Sequence, residues 1–220
     1  MTAKESLFLN RLKEKPLLPL FYHDNVEVCI SITKACLESG LKVIEFVNRG
    51  IYSKKNFEIL RKYLKEHGEI QLGAGSIKGI QDAKDFIDLG ADFIVTPYLD
   101  KKVGKLCKRN SVHWVPGCGS LSEMIKAEKY GAELIKLFPG SVYGPKFISS
   151  VMGPCPWLKI MPTGGVSTEK ENIESWIRSG AYCLGMGSKL FPKKLISGNS
   201  SLKLKSHIKS VLKKIISIEP

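Results

Sequence analysis

A lysine sits in the middle of one apolar run, Glu133-Leu134-Ile135-Lys136-Leu137-Phe138-Pro139, and a glutamate in the middle of another, Val43-Ile44-Glu45-Phe46-Val47. Runs of this length, the first bounded by Gly131-Ala132 and Pro139-Gly140, read as buried strands, where charged side chains are seldom placed. Ile135, Leu137 and Phe138 would partly desolvate the amine of Lys136, which favours the neutral form that attacks a carbonyl carbon. The competing reading is a solvated lysine on an edge strand, where it discourages sheet-to-sheet association. In the other run, period-two alternation puts Val43, Glu45 and Val47 on one face, so an inward Glu45 needs a cationic or hydrogen-bonding neighbour. Lys136 and Arg49 are the candidates. An ion pair that only fastens strands fits them too, but a carboxylate beside an amine can also carry the protons needed to make and break a Schiff base.

Glycine-rich loops form a second group. Pro162-Thr163-Gly164-Gly165-Val166 and Gly185-Met186-Gly187-Ser188 each follow a late strand, where glycines let backbone N–H groups approach an oxyanion and a short helix N-terminus is expected to face it. The order matches the two loops with which eight-stranded barrels bind phosphate, and Ser188 adds a hydroxyl donor. Gly73-Ala74-Gly75-Ser76 is either a plain turn or a close-approach loop whose Ser76 donates to a carboxylate. Thr96-Pro97 and Val115-Pro116-Gly117 mark further strand ends that could wall a pocket, so Pro97 joins the candidate contacts. His23 and His113 receive no role. Cys118 lies beside loop signals without a neighbouring base, which reads as a packed thiol.

The elements that must position these residues alternate regularly. Residues 3 to 14 predict an amphipathic helix that plugs or flanks a barrel end. Strands are expected at 17–22, 42–47, 69–75, 92–97, 112–116, 133–139, 158–162 and 181–185, with helices between them, including 54–67, 79–89, 121–130 and 168–179. Eight strands separated by helices in 220 residues predict an α/β fold, a (β/α)8 TIM barrel close to the lower size limit of about 200 residues. An open doubly wound sheet fits the alternation too. No Gly-x-Gly-x-x-Gly follows the first strand, which weakens a dinucleotide-binding fold. One domain is expected over residues 1–220, with an N-terminal helix within 1–15 and a basic C-terminal helix across 200–216.

Composition narrows the function classes. A hydrophobic content of 43% supports a real core, and neither a signal-peptide pattern nor a membrane-length apolar run is visible. The expectation is a soluble cytoplasmic protein with six free cysteines, since no pair has metal-ligand spacing. A net charge of +13 favours anionic partners. Much of it crowds the end of the chain, where Lys189, Lys193, Lys194, Lys203, Lys205, Lys209, Lys213 and Lys214 surround a stripe of Leu204, Ile208, Val211, Leu212 and Ile215. This reads as a helix with a solvated basic face; without interleaved aromatics, nucleic-acid binding is not expected.

Taken in order, Ile44-Glu45-x-x-x-Arg49, Gly73-Ala74-Gly75-Ser76, Thr96-Pro97, Val115-Pro116-Gly117, Ile135-Lys136-Leu137-Phe138-Pro139, Pro162-Thr163-Gly164-Gly165 and Gly185-x-Gly187-Ser188 resemble the 2-keto-3-deoxy-6-phosphogluconate (KDPG) and 4-hydroxy-2-oxoglutarate aldolases over nearly the whole chain. The resemblance implies a class I aldolase, without metal or cofactor, that releases pyruvate and glyceraldehyde 3-phosphate from its keto-acid substrate. By position it makes Lys136 the Schiff-base lysine and Glu45 the acid-base residue. Arg49, Ser76, Pro97 and Thr163 fall at the keto-acid end and Gly164, Gly165 and Ser188 at the phosphate, and a homotrimer is implied. The chain differs from the pattern at Val47-Asn48, at Ser76, where many members have threonine, and at Leu20-Phe21-Tyr22-His23. A related 2-keto-3-deoxy acid is therefore an open alternative. So are a phosphate-binding barrel isomerase or synthase without a Schiff base, and an inactive barrel that binds nucleic acid through its basic C-terminal helix.

Overall fold

The computed structural model describes residues 6–196 and 201–218. In chain order the elements are α1 (Leu7–Glu14), β1 (Leu17–Phe21), α2 (Val26–Glu38), β2 (Val43–Val47), α3 (Ser53–His67), β3 (Gln71–Gly75), α4 (Ile80–Asp88), β4 (Phe93–Thr96), α5 (Lys101–Arg109), β5 (His113–Cys118), α6 (Leu121–Lys129), β6 (Ile135–Leu137), α7 (Gly140–Tyr143), α8 (Pro145–Met152), β7 (Ile160–Pro162), α9 (Lys170–Arg178), β8 (Leu184–Met186), α10 (Lys193–Ile196) and α11 (Ser201–Ile216). Residues 3–5 of the expected first helix and residue 200 of the expected last one lie outside the described residues.

The eight strands pair in the order β7-β6-β5-β4-β3-β2-β1-β8, and a parallel bridge between Thr163 and Gly185 joins the ends of β7 and β8. The sheet is thus closed into a (β/α)8 TIM barrel. Closure removes the edge-strand reading of Lys136, because β6 is paired on both sides, with β5 and with β7. The expected strands are present, most of them shorter at their ends, whereas the fifth runs on to Cys118 rather than stopping at 116. The eighth begins at Leu184 rather than Ala181 and continues to Met186.

Local sequence explains where the helices start and stop. Asn25 caps α2 by accepting the Glu27 N–H at 2.8 Å, and Asp100 accepts the Lys102 N–H at 2.9 Å before α5. Ser120 caps α6, its hydroxyl accepting the Glu123 N–H, and the Glu123 carboxylate accepts the N–H of the preceding Gly119. Gly131 ends α6 at φ 95°, a left-handed turn that turns the chain back into β6.

Two layers of apolar side chains result. Ile44, Phe46, Leu72, Ile94, Ile135 and Leu137 face outward to the helices. Leu18, Val43, Phe93, Val95, Val115, Leu134 and Met161 fill the barrel, together with Phe8, Leu9 and Leu12 of α1. The first helix therefore plugs the N-terminal end of the barrel. The last one, α11, packs on α2 and α9. Not all of its lysines face solvent: Lys205 pairs with Glu38 at 3.1 Å and Lys214 donates to the Thr168 carbonyl at 2.8 Å.

Since Leu12 is fully buried in the plug, Leu12→Ala should cost about 2–5 kcal/mol of stability through lost contacts and a residual cavity. Urea unfolding measures this; an unchanged midpoint would show that α1 does not seal the barrel.

Candidate active site

The same alternation that puts Val43 and Leu134 inside the barrel carries Glu45 and Lys136 there, one step nearer the C-terminal ends of β2 and β6. Glu45 is 1% exposed and Lys136 6% exposed. The space for the carboxylate comes from Gly75 on neighbouring β3, where a Cβ would lie 1.8 Å from Glu45 Oε1. Burial raises the pKa of Glu45 above its ordinary value, and the charges of Lys136 and Arg49 act against that rise. Its Oε2 is buried without a hydrogen-bond partner. The Lys136 amine lies 5.0 Å from the centre of the Phe138 ring, a cation–π distance.

Thr163 continues the chamber. Its backbone N–H donates to Leu137 O at 3.1 Å, tying the end of β7 to the lysine strand. Its hydroxyl is also buried without a partner, and Gly185 leaves it room, since a Cβ there would come within 2.2 Å of Thr163 Oγ1. Two unsatisfied buried polar atoms beside a buried amine form an unusual concentration of unmet hydrogen-bonding capacity. They suit a polar ligand.

A cavity of about 880 Å³ opens at this end of the barrel. Its wall includes Phe138, along with Arg49 and Thr163 of the expected keto-acid contacts and Gly164, Gly165 and Ser188 of the expected phosphate contacts, whereas Glu45 and Lys136 are not part of that wall. Gly164 and Gly165 both have left-handed backbone conformations. Ser76 and Pro97 do not line it. They follow β3 and β4, across the ring from β7, β8 and β1, over which the cavity lies. Ser76 does hold a left-handed φ of 56°, which a non-glycine residue adopts at some cost.

Two expectations are corrected here. No helix N-terminus directly follows Ser188. A turn closed by Leu190 N–H on Gly187 O at 2.8 Å comes first, and α10 starts only at Lys193. Lys189 and Lys193, grouped by sequence with the solvated basic tail, line the cavity instead. Charge patterning had no means to find them, because in the sequence they merge with the lysines of α11. His23 and Tyr22 line the cavity as well, whereas His113 lies at the other end of β5 and pairs with Glu133 at 2.9 Å. Cys118 is buried and pushed up to about 12 by that burial. Among the described residues no three His, Cys, Asp or Glu side chains gather as a metal-binding group, and no helix is long and apolar enough to cross a membrane.

Comparison with known proteins agrees with this architecture. The family model for KDPG and KHG aldolase matches residues 8–206. The 2-dehydro-3-deoxy-phosphogluconate aldolase of Haemophilus influenzae is 27% identical over 201 residues, 91% of this chain and 92% of that protein. The KHG/KDPG aldolase of Escherichia coli K12 is 27% identical over 192 residues, 87% of this chain and 86% of that one. Among solved structures, the KDPG aldolase of Legionella pneumophila, with pyruvate captured as a covalent carbinolamine, superposes with a TM-score of 0.84 at 22% identity. That match covers 94% of this chain and 98% of the other, and at such identity the likeness is one of fold.

The raised pKa of Glu45 has a sign that stability measurements can read. A buried carboxyl that holds its proton more tightly when folded adds stability below its unfolded value near 4.5, and that contribution is lost as pH rises through the folded value. Glu45→Gln should therefore gain thermal stability relative to wild type as pH is raised from 5 to 8. A difference in melting temperature that does not vary with pH would show that Glu45 is not held in this way.

Proposed function

The chain belongs to the KDPG and KHG aldolase family, and from that premise we propose that it is a Schiff-base aldolase for a phosphorylated 2-keto-3-deoxy acid. The proposed substrate is 2-dehydro-3-deoxy-6-phosphogluconate or a close relative, cleaved to pyruvate and glyceraldehyde 3-phosphate. Cleavage of 4-hydroxy-2-oxoglutarate to pyruvate and glyoxylate is a second activity of the same site. The observation that carries the reading is a buried amine on β6 that interacts electrostatically with a buried carboxyl on β2 whose Oε2 has no hydrogen-bond partner.

In this reading the Lys136 amine adds to the C2 carbonyl, and loss of water gives an iminium. Glu45 takes the proton of the C4 hydroxyl, the C3–C4 bond breaks, and its electron pair moves into the iminium to give an enamine. C4 leaves as an aldehyde. The protonated Glu45 returns its proton to C3, and water then releases pyruvate and frees the lysine. Burial makes the Glu45 carboxylate a stronger base towards the C4 hydroxyl, and the charges of Lys136 and Arg49 oppose that rise. Arg49 and Thr163 are assigned the keto-acid carboxylate. Gly164, Gly165 and Ser188 are assigned the phosphate, with Lys189 as an added cation at the mouth, so that a remote anchor orients the scissile bond. Ser76 and Pro97 stay in the assignment as residues that shape the far rim.

A homotrimer belongs to the same reading. Ile51, Tyr52, Ile80, Tyr98 and Val142 are exposed on loops or helix starts at the cavity end of the barrel, and they are the side chains such an assembly would cover.

Borohydride added with pyruvate should trap one pyruvyl group on Lys136, located by peptide mass spectrometry, and Lys136→Ala should abolish it. Aldol cleavage without a reducible adduct would instead identify a barrel enzyme that uses Lys136 as an acid. A third outcome, no cleavage with steeply salt-dependent RNA binding, would favour the basic helix as the functional surface. Lys189→Ala should raise KM for the phosphorylated substrate several-fold and weaken its salt dependence, with little change in kcat; an unchanged KM would remove Lys189 from the anion site.

A further inference from the structure

His23 stands just past β1 in the cavity wall. Its ring is set by the backbone, since the Asn25 N–H donates to Nδ1 at 3.0 Å. A ring nitrogen that accepts cannot hold the proton, so the neutral imidazole carries its hydrogen on Nε2. Among the described residues no protein acceptor meets that Nε2–H.

The residue is fixed at its main chain too. Its carbonyl accepts from Asn56 Nδ2 at 3.0 Å and from Cys29 Sγ at 3.2 Å, and Asn56 is buried. On one flank Tyr22 donates to the Asp24 carboxylate, and its hydroxyl fills the space over Gly50. A donor held this firmly before a ligand arrives loses little entropy when it is used.

Topology says which part of a ligand it meets. In the strand ring β1 lies between β8, whose loop carries Ser188, and β2, which carries Glu45 and leads to Arg49. A chain whose C4 hydroxyl meets Glu45 on β2 and whose phosphate meets Ser188 past β8 has its intervening carbons on the β1 side, towards His23. Those carbons bear hydroxyls. Val47, the inward residue next along β2, lines the same cavity and offers them no hydrogen bond.

Resting on the Schiff-base reading above, we infer that the Nε2–H of His23 donates to the C5 hydroxyl oxygen of the substrate, the carbon between the cleaved bond and the phosphate-bearing carbon. His23 is thereby a specificity-determining residue that favours keto acids hydroxylated at C5.

Three substrates separate this role from others: 2-keto-3-deoxy-6-phosphogluconate, its unphosphorylated form, and 4-hydroxy-2-oxopentanoate, whose C5 is a methyl group without any acceptor. His23→Leu should lower kcat/KM for the first two by roughly 3- to 10-fold, the loss of one neutral hydrogen bond, and leave the third unchanged. His23→Gln, which keeps an N–H donor at similar reach, should recover most of the loss. An effect confined to the phosphorylated substrate would make His23 a phosphate contact, and an equal effect on all three would make it structural. Either result overturns the inference, as does no effect. The borohydride adduct with pyruvate needs no C5 hydroxyl, so its absence in wild type marks failure of the Schiff-base reading, whereas its presence in every variant together with no substrate dependence marks failure of the His23 role alone.

Discussion

A carboxylate and an amine buried together inside a barrel are the constraint on which this structure depends. Taking either ion out of water alone costs several kcal/mol, and Glu45 on β2 lies across the strand ring from Lys136 on β6. Burial pushes Glu45 toward its protonated form while Lys136 and Arg49 pull it back. The net result of these opposing influences is a carboxyl that holds its proton more tightly than it would in water. Water reaching the chamber from below would hydrate both groups and remove that balance. The plug of Phe8, Leu9 and Leu12 and the layer of Leu18, Val43, Phe93, Val95 and Val115 keep the N-terminal end shut. Apolar packing at one end of the barrel is therefore a condition for the electrostatics at the other.

The room for these groups is made by small residues. An inward side chain at 75 would occupy the position of the Glu45 carboxylate, and one at 185 the position of the Thr163 hydroxyl. Each glycine gives up packing on its own strand to admit a polar group from its neighbour, and both polar groups end without a protein partner. In a packed interior such gaps are unfavourable unless a ligand fills them. The layer directly below, built from large apolar side chains, shows that the barrel can pack tightly where no ligand is held.

This division explains what the sequence made legible. Lys136 and Glu45 stood out because a charged residue in an apolar run contradicts its surroundings, and period two then told which face each occupied. The eight-fold alternation is local, so it too could be read, along with caps such as Asn25 and Asp100. Other features depend on contacts distant in sequence. Lys189 and Lys193 belong to the cavity because β8 closes against β7 and β1, and no charge count reveals that. Ser76 shares a loop signature with the phosphate loops, yet its position on the ring takes it to the other side of the mouth. The Nδ1 contact of His23 is local but conformational, since it depends on how the chain turns at Asp24 and Asn25. The extended end of β8 follows from pairing with β1 through Leu18–Gly185 and Pro19–Met186, not from its own propensity.

The barrel also separates chemistry from recognition. Glu45 and Lys136 stand on strands at opposite sides of the ring, β2 and β6, where any change alters the desolvation of both. The cavity instead lies over β7, β8 and β1, and its wall is built from loops and strand ends whose backbone is held by bonds such as Leu190 N–H to Gly187 O and Asn56 to the His23 carbonyl. Apart from Arg49, whose charge acts on Glu45, side chains on that rim can be exchanged without moving the strands that carry Glu45 and Lys136, which are fixed by their own ladders. In such an arrangement the identity of the keto acid is written mainly in residues at the end of β1 and in the loop after β8. Of the departures of this chain from the family pattern, those at Tyr22 and His23 fall in that region, whereas Val47-Asn48 and Ser76 lie at the ends of β2 and β3; under the proposed mechanism the former bear on which substrate is held.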